Sequence, residues 1–149
     1  MQIIQAQFAR GTCPVRLFGA TGDSAVPVVL FFTDAFGPRT ALEEMGERLV
    51  AAGYRVAMPY NFYEHADEPP LSMQSILTGG DDRMRMGRML GGLMQSAVDD
   101  DVRSLLAVCD EHFGPQAPLG ATGYCMGGRY AITAATLSSR PHPRMYSSI

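Results

Sequence analysis

The sequence predicts an α/β fold, a mostly parallel sheet with flanking helices, and three stretches carry that expectation. "VPVVLFFT" at 26–33 is apolar on both faces, as a strand covered on two sides in the middle of a sheet must be. Residues 40–60 read as a helix and then a strand, which together with 26–33 make the strand–helix–strand unit of a parallel sheet. "PLGATGYCMGGRYAITAATL" at 118–137 again runs strand into helix.

The remaining elements follow in chain order. "QIIQAQF" (2–8) and "CPVRLFG" (13–19) alternate in part and read as two strands, and "ATGDSA" (20–25) supplies the turn into the third. After that strand comes the loop "DAFGPR" (34–39). Thr40 is expected to open a helix, with Glu43 three residues on completing a reciprocal capping pair. Leu42, Met45, Leu49 and Val50 keep helical spacing, and Gly53 closes the helix. "YRVAMPY" (54–60) is the fourth strand. Residues 61–80 carry a Pro pair, a Gly pair and no sustained period, so a loop with one turn of helix is expected there. About Asp82 to His112 is helical, broken or bent at Gly91 and Gly92, with Val98, Val102, Leu105, Leu106 and Cys109 on one face. Asp99, Asp100 and Asp101 are expected to face water near a helix N-terminus, where negative charge is favourable. Beyond residue 138 two prolines and no period predict an irregular tail over 139–149.

At 149 residues one domain with a real core is expected. The formal charge of −3, with no basic cluster longer than Arg83, Arg85 and Arg88, gives no electrostatic reason for a nucleic-acid partner. The longest apolar run, 26–32, is far short of the roughly 20 residues a membrane-crossing helix needs, so no membrane partner is expected. "MQIIQAQFARG" lacks a basic segment followed by an apolar block, so a cytoplasmic location is expected, and the charge balance makes a small-molecule partner the better expectation. Cys13, Cys109 and Cys125 are odd in number and unpaired as C-x-x-C, and His65, His112 and His142 share no ligand spacing. No metal and no cofactor are expected.

Chemistry concentrates at "GYCMGG" (123–128). A strand turning sharply into a helix exposes the corner residue and crowds the positions two before and two after it. Gly123 and Gly127 meet that demand in the pattern G-x-C-x-G, the nucleophile elbow with sulfur in place of oxygen. Cys125 would then lie at a helix N-terminus, where free N–H groups favour a thiolate. The Met126 N–H would point at the oxygen of an attacked carbonyl. A second donor is expected from the loop after the third strand, at the Ala35 N–H. A lone Cys between glycines at a strand end is more often packing than chemistry; the upstream "TDAFG" loop tips the balance toward an elbow.

Three stretches, "LFFTDAFGPR", "LVAAGYRVAMPYNFY" and "GYCMGGRYA", closely resemble the N-terminal part of a dienelactone hydrolase family protein, and the likeness runs to about residue 138. It implies an incomplete α/β-hydrolase fold ending just after the elbow helix. Residues 1–138 would be the N-terminal part of one domain. It further implies cleavage of a lactone or carboxylic ester through a thioester on Cys125. Asp34 matches an acidic position, more often Glu, that is thought to act on the resting thiol. Arg85 or Arg83 would match an arginine that binds a substrate carboxylate, and the choice between them stays open.

In this fold the acid and histidine of the triad follow the nucleophile on later loops. The residues after Cys125 offer one helix and a tail, so both groups are expected to be missing and the chain reads as C-terminally truncated. His142 lies beyond that helix, and Asp110 and His112 precede the fifth strand, near its opposite end. The alternative is a catalytically inactive remnant that acts as an interaction module and self-associates through an exposed strand edge. A class I glutamine amidotransferase would need a downstream His and Glu pair. Redox sensing by Cys125 would show as preferential oxidation over Cys13 and Cys109.

Overall fold

A computed structural model describes residues 1–22 and 25–138. Their strands are β1 (Gln2–Phe8), β2 (Gly11–Phe18), β3 (Val28–Phe32), β4 (Arg55–Pro59) and β5 (Leu119–Gly123). The helices are α1 (Thr40–Ala51), α2 (Met73–Leu77), α3 (Asp81–Gly91), α4 (Gln95–Phe113) and α5 (Gly127–Leu137). One sheet joins the strands in the order β1-β2-β4-β3-β5. Its parallel part is β4-β3-β5, with β3 in the middle as its two apolar faces require. β1 and β2 form an antiparallel hairpin, and β2 pairs antiparallel with β4, so the sheet is mixed.

The sheet has helices on both faces. On one, Leu42 of α1 packs on Phe18, Phe31, Val56 and Met58. On the other, Val98, Val102, Leu105 and Cys109 of α4, with Tyr130, Ala131 and Ala134 of α5, cover Val15, Leu17, Leu30 and Phe32. The C-terminal ends of β3 and β5 therefore open at one edge of the molecule, side by side, with Phe32 opposite Gly123.

Three local expectations are corrected. Thr40 is the first residue of α1 and not its cap; Arg39 takes that position without a side-chain cap. Glu43 does not reach back, because Arg16 of β2 draws its carboxylate away across 2.7 Å. Residues 61–80 hold two short helical pieces rather than one turn: a 3₁₀ turn at Tyr63–His65, and α2, which Ser72 caps through the Ser75 N–H at 3.3 Å. Asp101 does not face water. It is 4% exposed and accepts hydrogen bonds from Tyr63, Tyr130 and Arg10. Of the acidic triplet Asp100 alone is fully at the surface, and Asp99 is half-buried. Among the described residues no helix is long and apolar enough to cross a membrane. The expected tail, including His142, lies outside the described residues.

Candidate active site

The corner between β5 and α5 is set by steric exclusion. A Cβ on Gly123 would overlap the carbonyl of Gly127, and one on Gly127 would lie 2.5 Å from Phe32 O and 2.6 Å from Thr33 O. Both collisions are with backbone, which cannot move aside as a side-chain tip would. Between these two glycines Cys125 adopts φ +55°, and among the described residues it is the one non-glycine with positive φ. That left-handed conformation costs a side-chain-bearing residue about 1–3 kcal/mol and is found where surrounding structure imposes it. The chain is held in the bend by Tyr124 N–H to Phe32 O at 3.1 Å, Gly127 N–H to Tyr124 O at 2.9 Å and Gly128 N–H to Cys125 O at 3.1 Å. The result is an exposed thiol two residues before α5 starts.

The other two cysteines are buried. Cys13 lies between Pro14 O at 3.6 Å and Tyr60 O at 3.7 Å, and burial pushes its thiol up to about 12. It stays protonated and inert at neutral pH.

Two backbone donors flank the corner. Among the described residues neither the Ala35 N–H nor the Met126 N–H donates a hydrogen bond. Ala35 is buried, and it lies two residues past Thr33, whose carbonyl sits under Gly127; Met126 directly precedes Gly127. Free N–H groups at such positions are what a developing oxyanion needs. The loop carrying Ala35 is shaped by Asp34. Its Oδ1 accepts the Phe36 N–H at 3.0 Å, while Arg39 grips both carboxylate oxygens at 2.8 and 2.7 Å. Among the described residues no hydrogen bond joins Asp34 to Cys125.

The two candidate arginines of α3 differ. Arg85 is tied to Asp82 at 3.1 Å and Glu68 at 3.2 Å and donates to Pro69 O, so it braces the segment between β4 and α3. Arg83 is exposed and has no ion pair among the described residues. His65 pairs with Glu68 at 2.7 Å, and His112 stands at the end of α4 that leads into β5, the opposite end of that strand from Cys125. Phe62 and Tyr63 belong to the core.

Two features escaped the sequence. Arg39, which holds Asp34, stood in a stretch read only as loop, although an Asp and an Arg five residues apart across a turn was a usable signal. Thr33 and Asn61, at the ends of β3 and β4, are buried polar residues joined by Asn61 Nδ2 to Thr33 O at 3.5 Å. A polar pair at two strand ends has no periodic signature.

The sequence model of the dienelactone hydrolase family matches residues 15–141. A curated relative, carboxymethylenebutenolidase from Rhodococcus opacus, is 26% identical over 148 residues, covering 97% of this chain and 51% of the relative. The solved structure of m3DLH is similar with a TM-score of 0.71 at 22% identity, over 98% of this chain and 57% of that one. A dienelactone hydrolase from Anabaena variabilis is similar with a TM-score of 0.60 at 16% identity, over 98% and 61%. At these identities the solved structures speak for the fold alone, an α/β-hydrolase fold. The chain spans about half the length of the curated relative it matches.

Proposed function

The chain belongs to the dienelactone hydrolase family, and from that premise we propose that Cys125 attacks the carbonyl carbon of a carboxylic ester or lactone, within a single domain that includes residues 1–138. The Cys125 thiolate forms the C–S bond, and the carbonyl oxygen becomes an oxyanion that the Ala35 and Met126 N–H groups receive. Collapse breaks the C–O bond, the departing alkoxide takes a proton from water, and the acyl group remains as a thioester. Water then hydrolyses the thioester to carboxylate and thiol. The observation that carries this reading is the strained, exposed Cys125 at φ +55° between two glycines that backbone contact makes obligatory.

With an activated ester, whose leaving group departs readily, acylation outpaces deacylation in this proposal and the thioester accumulates. Asp34 acts on the thiol only by leaving the Arg39 fork. Arg83 is the better candidate for a substrate carboxylate, since Arg85 is already engaged by two carboxylates. The test is to expose the protein to p-nitrophenyl acetate and read the intact mass. One acetyl group on Cys125, absent in Cys125→Ala and with Cys13 and Cys109 unmodified, is expected. Acetylation elsewhere, or none, would overturn the reading.

A second reading rests on the free edge of β5, which pairs only with β3 among the described residues. There the protein is an interaction module that self-associates by strand addition. It requires oligomers in light scattering and no acyl-enzyme.

A further inference from the structure

Helix α5 is a smooth element. Its residues buried against the sheet and α4 are Gly127, Tyr130, Ala131, Thr133 and Ala134, and Tyr130 alone among them is large. Small side chains offer no ridges to lock into grooves, so packing by itself leaves the axial position of such a helix loosely fixed. Cys125 is two residues before the helix starts, and any slide of α5 carries it along.

We propose that Asp101 of α4 is a positioning residue that fixes, through Tyr130 and Phe32, where the Cys125 corner and its two backbone donors sit. Tyr130 is 1% exposed; its hydroxyl donates to Asp101 Oδ2 at 3.1 Å and its ring stacks on Phe32 at 5.3 Å with an interplanar angle of 27°. Phe32 touches both halves of the site. Its carbonyl accepts the Tyr124 N–H and abuts Gly127, and the chain that follows it runs directly into Thr33, Asp34 and Ala35. A single stacked ring thus links the segment bearing the Met126 N–H to the segment bearing the Ala35 N–H. Asp101 is itself immobilised. Tyr63 donates to its Oδ1 at 2.8 Å, and Arg10 to its Oδ2 at 2.6 Å, with Arg10 also bound to Glu64 at 2.7 Å. Burial pushes the Tyr130 hydroxyl well above its ordinary range, which keeps it a donor. A buried charge of this kind is a poor source of stability compared with apolar packing, and setting register is its best-attested use. Arg129 also ties α5 to Leu93 O at 2.7 Å and, with Thr133, to Gln95, but these bonds reach the α3–α4 connection and the start of α4, not Phe32.

The kinetic part of the proposal rests on the reading of Cys125 as nucleophile; the positional part does not. Tyr130→Phe keeps the ring on Phe32 and removes only the bond to Asp101, and Asp101→Asn is the second variant. Three quantities are measured in each: acylation of Cys125 by p-nitrophenyl acetate, its alkylation by iodoacetamide, and amide hydrogen exchange at 124–128 against α1. Acylation needs aligned oxyanion donors and should fall about tenfold, since small misplacements at a reacting centre are costly. Alkylation needs only an exposed thiol and should stay within about twofold. Exchange at 124–128 should rise about fivefold while α1 is unchanged. Leu49→Ala on α1 is the control that lowers stability without changing the ratio of the two rates. Unchanged exchange at 124–128, or acylation and alkylation falling in parallel, overturns the proposal. If the unsubstituted protein is not acylated at all, the hydrolase reading fails, and the exchange result alone decides whether Asp101 positions the corner.

Discussion

The Cys125 corner and the segment from Glu64 to Gly92 are built on opposite principles. The corner is defined by backbone against backbone: Gly127 on Phe32 O and Thr33 O, Gly123 on Gly127 O. The segment is mostly exposed apart from Met89, and within it Arg85 reaches Glu68, Asp82 and Pro69 O. Steric exclusion has no graded response, whereas charge pairs near water are each worth little and can exchange partners. The bend should therefore keep one shape, with Asp101 setting where α5 carries it, while the stretch carrying Arg83 can yield to what binds beside it.

The most severe way to break the contrast is Gly127→Ala. A methyl at 2.5 Å from a carbonyl oxygen forces β3 and α5 apart, and a loss of more than about 4 kcal/mol is expected. Urea unfolding would show it, and a midpoint close to that of the unsubstituted protein would mean that the corner is softer than its geometry implies. Asp101→Ala comes next, at about 3 kcal/mol, because it leaves Arg10 and two buried hydroxyls without their acceptor. Arg85→Ala sits on the other side of the comparison. It should cost less than about 1 kcal/mol in the same titration, since Glu68 is half-exposed. Yet limited proteolysis between 64 and 80 should speed up about tenfold, because local opening is read separately from global stability. Equal effects of Gly127→Ala and Arg85→Ala on the unfolding midpoint would erase the distinction between the two regions.

The same contrast marks what the sequence could reveal. Five strands, α1, α4, α5 and the corner were legible because each is written in a local code: an apolar run, a helical spacing, a glycine two residues either side of Cys125. Gly53 was legible too, and its N–H to Val50 O with Tyr54 N–H to Leu49 O closes α1 as expected. Asp101 was not. Its three partners come from the β1–β2 turn, the 3₁₀ turn after β4 and α5, and three consecutive aspartates look like a solvated helix start until those distant donors are known. Glu43 of α1 misled for a related reason, since Arg16 competes from β2. The antiparallel addition of β1 and β2 to a parallel core also depends on pairing that no single segment encodes.

The smallest expected effect on stability concerns Asp34, in the loop after β3. Its oxygens have two duties in the structure: the bond from the Phe36 N–H shapes the turn that carries Ala35, and the fork with Arg39 occupies the charge. Arg39 is 44% exposed, so Arg39→Ala should change stability by only about 0.5 kcal/mol. If Asp34 also takes the thiol's proton, freeing it should raise the rate of Cys125 acetylation about fivefold, because a base held in an ion pair is a poor proton acceptor. Asp34→Asn added to Arg39→Ala keeps an oxygen for the Phe36 N–H and removes the base, and should return the rate to its starting value. An acetylation rate that ignores Arg39→Ala would leave Asp34 with the first duty alone: a carboxylate that shapes the oxyanion loop and takes no part in proton transfer.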